Sequence, residues 1–136
     1  MQELWMLPQK EAEEALEESR RRLGRYGLVL TREDAAALME GCSAALRHTG
    51  RVEFGGGILP RLLEVFCDSP ALRQENLTEE LLTLQEVFYH WKNEAGDLTP
   101  DGEVLAFLRR AYDKRGAAEY LAGFSMKEMR EVLADE

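Results

Sequence analysis

Two cysteines and two histidines in 136 residues are too few for a disulfide-stapled scaffold or a histidine-rich metal cage. Four prolines and eleven glycines are too few for a collagen-like or low-complexity chain. Basic residues are also in deficit, seventeen against twenty-six acids, for a net charge of −9. Phosphate backbones are repelled by such a charge, so nucleic acid is not an expected partner. No run of the sequence approaches the roughly eighteen apolar residues that a membrane helix needs. The short run Leu4, Trp5, Met6 and Leu7 lacks the preceding bases and the length of a signal-peptide core. A membrane is therefore not expected, and the expected compartment is the cytoplasm.

What is present is 45% hydrophobic and 32% charged residues, enough for one packed core. The expected organisation is a single helical domain over residues 1–136, with 1–7 as an apolar N-terminal extension. The apolar residues recur with helical period. Residues 9–23 follow Pro8, with acids early and bases late to suit the helix dipole, and Gly24 and Gly27 end that helix. Its arginine cluster, Arg20, Arg21, Arg22 and Arg25, is expected to pair with its own acids, through Glu17 with Arg21 and Glu18 with Arg22 at i,i+4.

Thr31 and Asp34 make a capping-box pattern before a helix with Ala35, Leu38, Met39, Cys42, Ala45 and Leu46 on one face. Gly41 inside that helix implies close approach of a neighbour, and Gly50 stops it. Pro60 opens a helix with Leu59, Leu62, Leu63, Phe66 and Cys67 inward. Asn76 and Glu79 are placed to cap the strongest element, Asn76 to Glu94, whose stripe is Leu77, Leu81, Leu84, Phe88, Trp91 and Ala95. Thr99 and Pro100 begin another helix, with Val104, Phe107, Leu108 and Ala111 inward. A short helix around Glu119 to Leu121 follows. Ser125 and Glu128 cap a last helix bearing Met126, Met129, Val132 and Leu133, with Phe124 and Met129 as the staple. Strand-like alternation is nearly absent, so the pattern implies a compact all-α array of about six main helices with short connecting loops.

Few residues suggest chemistry. Cys42 and Cys67 lie on apolar stripes, where reduced thiols are ordinarily buried. His90 stands between Glu86 and Glu94 at i−4 and i+4, but on the face opposite the apolar stripe, so no metal site is expected. His48 suits a helix C-terminal end. The loop Gly55, Gly56 and Gly57, running into a helix start between Arg51 and Arg61, is a candidate anion or small-ligand site, although it lacks the Gly-Lys-Ser/Thr ending of a phosphate-binding loop. The apolar Leu4, Trp5, Met6 and Leu7 form a candidate partner interface. No catalytic residue and no cofactor is expected, and an enzymatic role is disfavoured.

The segments Gly50-Arg-Val-Glu-Phe-Gly-Gly-Gly-Ile-Leu-Pro60, Phe66-Cys-Asp-Ser-Pro70, Gln74-Glu-Asn76 and Phe88-Tyr-His-Trp-Lys-Asn-Glu94 resemble a family of small bacterial proteins of unknown function. The similarity covers most of the chain, with Val52 to Pro60 the most distinctive part. It implies a single-domain cytoplasmic protein and brings no activity, cofactor or catalytic residue. The functional expectation is thus a non-enzymatic protein-interaction or adaptor module, with an unidentified protein or a second copy as partner. The alternative is a small-ligand or anion binder, possibly an enzyme, using the Gly55–Gly57 loop.

Overall fold

A computed structural model describes residues 14–52, 58–96 and 99–134. Among these residues there are six α-helices, two 3-10 segments and no strand, as the periodicity implies. The helices are α1 (14–24), α2 (Arg32–Thr49), α3 (Leu59–Phe66), α4 (Leu77–Ala95), α5 (Asp101–Arg115) and α6 (Met126–Ala134). The 3-10 segments are Gln74–Asn76, before α4, and Ala118–Gly123, before α6.

α4 is the central element. It packs on α2, α3 and α5 and on both 3-10 segments. The stripe read from the sequence is only part of its buried surface, because Gln85, Val87, Tyr89 and Lys92 are buried too. At 100° per residue these positions carry burial around more than half of the helix. The reason is its two-sided packing. On one side Gln85 Nε2 donates to the Leu38 carbonyl of α2 at 3.1 Å, and the Tyr89 hydroxyl lies 3.7 Å from Cys42 Sγ. On the other side Trp91 Nε1 donates to the Leu121 carbonyl at 2.9 Å, and its ring meets Phe107 edge-on at 5.1 Å.

Gly41 lies where α2 packs on α4: a Cβ there would run into Leu82 Cδ2. A side chain at that position would displace Leu82, which accounts for glycine in a helix interior despite its propensity cost.

The ends of the helices match the sequence in part. Ser125 and Glu128 form the full reciprocal box, each backbone N–H donating to the other side chain at 3.1 Å. Thr31 accepts from the Asp34 N–H at 3.0 Å, which is one half of the expected pair. Asn76 does not cap α4. Its side-chain oxygen accepts from the Arg73 N–H at 2.8 Å and its amide donates to Ala71 O at 3.1 Å. The preceding 3-10 turn has taken both groups. Met129 is buried and Val132 packs on the core, while Met126 and Leu133 have side chains outside the description. No helix among the described residues is long and apolar enough to cross a membrane.

Candidate functional site

The two flanks of the glycine loop are anchored on the last turns of α4. Arg51 Nη1 donates to Asn93 Oδ1 at 2.8 Å, and the Asn93 amide donates to Thr49 O at 2.8 Å. At the other flank the buried Ile58 N–H donates to the Tyr89 hydroxyl at 3.1 Å. Arg61 sits on α3 and pairs with Asp101 of α5 at 3.4 Å. Asp101 also holds the buried Lys92 ammonium at 3.0 Å, and Lys92 Nζ donates to Thr99 O at 2.5 Å. Both candidate arginines are therefore engaged with side chains of the protein, and the carboxylate facing Arg61 is shared. Gly55, Gly56 and Gly57 lie outside the described residues, as do Leu4, Trp5, Met6 and Leu7.

The two histidines differ in setting, His48 exposed and His90 half-buried. His48 is exposed at the end of α2, and its Nδ1 is 2.8 Å from Glu86 Oε1. Glu86 is thus a partner of His48 rather than of His90, whose ring packs edge-on against Trp91 at 5.7 Å. No cluster of three or more His, Cys, Asp or Glu able to hold a metal occurs among the described residues. Both cysteines are buried and neither is in a disulfide. Burial, with Asp68 next to it, pushes the Cys67 thiol pKa up, which keeps the nucleophilic thiolate scarce. Asp68 itself is held below its ordinary carboxylate range by its hydrogen bond to Arg109, at 2.6 Å. The same guanidinium bonds Asp113 at 2.9 Å and Val65 O at 2.7 Å, so this cluster braces the C-terminal end of α3 against α5.

The surface that stands apart is at the end of α1. Gly27, with φ +77°, turns the chain in a conformation that side chains resist, and Leu28–Leu30 follows outside any helix. Alternation then buries Leu28 and Leu30 and leaves Val29 63% exposed. This segment is fixed on both sides. The Val29 N–H donates to Gln74 Oε1 at 2.7 Å and Gln74 Nε2 donates back to Val29 O at 2.9 Å, so the Gln74 amide takes the place of a neighbouring strand. Arg20 Nε donates to Leu30 O at 2.8 Å.

Between α1 and this segment runs an open groove of about 240 Å³ lined by Glu17, Arg20, Arg21, Gly24, Leu28, Val29 and Leu30. Tyr26, in the turn between groove residues Gly24 and Leu28, is 53% exposed. Glu17 pairs with Arg20 at 2.9 Å, i,i+3, and not with Arg21. No Glu18–Arg22 ion pair occurs among the described residues. The self-pairing expected from the sequence thus neutralises one arginine of the cluster. Sequence reasoning passed over the groove because its signal is diffuse. The only cue was an apolar residue, Val29, at the outward position of a three-residue extended stretch.

No curated protein and no solved structure matches the chain. The model of a family described as of unknown function, DUF6323, matches residues 15–135, and the chain belongs to that family.

Proposed function

We propose that this protein is a non-enzymatic interaction module and that it receives its partner in the groove beside α1. The observation that carries this reading is Val29, an apolar side chain presented to solvent from a backbone held rigidly by Gln74 and Arg20. An exposed apolar group on a mobile loop loses conformational freedom when it binds, whereas one on a fixed segment has that ordering already in place. Tyr26 adds an amphipathic ring of the kind enriched in interfaces. The engagement of Arg51 with Asn93 and of Arg61 with Asp101 favours this surface over an anion site at the Gly55–Gly57 loop, since an incoming anion there would compete with protein acceptors. Cytoplasmic residence is part of the same proposal and accords with the two reduced, buried thiols.

The test is affinity capture with the intact protein beside its Tyr26→Ser/Val29→Ser variant. Both substitutions are at exposed positions, so folding is expected to survive, which circular dichroism checks. Loss of a specifically captured protein in the variant supports the proposal. Equal capture by both proteins, with loss on Trp5→Ala, would move the interface to the N-terminal extension.

A further inference from the structure

The groove reading leaves the chemistry of the partner open, and the charges around the groove narrow it. Residues 19–32 contain five arginines and no aspartate or glutamate, in a chain whose net charge is −9. Arg21, Arg25 and Arg32 are exposed and make no ion pair among the described residues. Arg21 lines the groove, and Arg25 follows in the exposed turn just past the end of α1. Next to these cations lie the exposed Val29 and Tyr26 and the floor formed by Leu28 and Leu30.

Building on the groove reading, we infer that the partner is an acidic peptide segment of another protein, with carboxylates flanking one apolar side chain. The apolar residue packs against Val29 and Leu28, and the carboxylates meet Arg21 and Arg25. Recognition is through side chains, because Gln74 already occupies both backbone groups of Val29 and so closes that edge to strand addition. A long polyanion such as nucleic acid is disfavoured. Its phosphates would run past the arginines onto the acidic remainder of a chain of net charge −9, and they gain nothing from Val29. A short acidic segment needs only the local field.

The experiment is selection of a random dodecapeptide display library on the intact protein, followed by titration of enriched, fluorescently labelled peptides. Binding is compared for the wild type, Arg21→Glu/Arg25→Glu and Val29→Ser. The expected result is enrichment of peptides with acids on both sides of an apolar residue. Their affinity should fall roughly tenfold on charge reversal, and wild-type binding should weaken in high salt, as exposed complementary charges require. Peptides without acidic bias that depend on Val29 but not on Arg21 and Arg25 would overturn this inference and leave the groove standing. If no enriched peptide depends on Val29, the groove reading falls with it. A dimer in native mass spectrometry that Val29→Ser dissolves would make a second copy the occupant and overturn the peptide assignment. Tighter binding of a single-stranded oligonucleotide than of any acidic peptide would overturn it as well.

Discussion

The bond pair between Gln74 and Val29 is the structural basis of the exposed surface, and Gln74→Ala removes it. Both bonds, at 2.7 and 2.9 Å, are near a surface where water competes, so each contributes about 0.5–1 kcal/mol net. Together they oppose local opening of Leu28–Leu30 by about 1–2 kcal/mol, and 1.4 kcal/mol corresponds to about tenfold in an equilibrium constant. Gln74 is itself exposed, and the core under this segment, Leu23, Leu28 and Leu30, is unchanged by the substitution. Global stability should fall by a similar amount, at most about 1–2 kcal/mol, because the opened segment and the unfolded chain lack the same two bonds. The assay is amide hydrogen exchange at Val29, read by NMR. Exchange at Val29 should accelerate about tenfold in Gln74→Ala, and amides in the middle of α4 that exchange only by global unfolding should accelerate by no more than the same factor. Gln74→Met, which keeps the length of the stem and lacks the amide, should accelerate exchange equally. Wild-type protection of Val29 in Gln74→Met would show that packing of the stem holds the segment, and would refute the argument.

Further outcomes follow from the core. Gly41→Ala should leave stability within about 1 kcal/mol of wild type, since the gain in helix propensity opposes displacement of the partly buried Leu82. Gly41→Leu should cost about 1–3 kcal/mol by overpacking, both read by urea unfolding. Tyr89→Phe removes the acceptor of the buried Ile58 N–H and should cost about 1–3 kcal/mol in the same assay; no loss would show that the Ile58 N–H finds another partner. The Asp68 carboxylate has a folded pKa below its ordinary value of about 3.9. Its pairing with Arg109 therefore stabilises above that unfolded value, and the stabilisation is lost as pH falls through the folded one. The stability gap between wild type and Asp68→Asn should shrink as pH is lowered from about 5 to about 3, read by thermal unfolding at each pH. A gap that stays constant over that range would contradict the pairing.

Much of the fold was legible because helix caps and apolar periodicity are local signals. Gly50, in the left-handed region, the Ser125–Glu128 box and the inward faces of α2, α3 and α5 are all encoded within a turn or two of chain. Gly41 was legible for a different reason, since a glycine amid good helix formers needs a packing cause. The misread positions depend on partners far away in sequence. Asn76 reads as a helix cap until the turn at Ala71–Arg73 claims it. Gln85 and Lys92 are not in the apolar stripe of their helix, and α2 and the Thr99–Asp101 segment cover them. Glu86 reads with His90 on its own helix, and α2 supplies His48 instead. The groove was harder still, because Gln74 and Val29 are forty-five residues apart and neither carries a motif.

Site-specific photo-cross-linking in cells tests the central claim most directly, with a photoreactive residue placed in turn at Val29 and at Tyr120, another exposed position that does not line the groove. The account predicts a discrete cross-linked protein from Val29 that is absent from Tyr120 and lost when Arg21→Glu/Arg25→Glu is introduced. The same adducts from both positions, or none from Val29 while Tyr120 gives a discrete product, would contradict it.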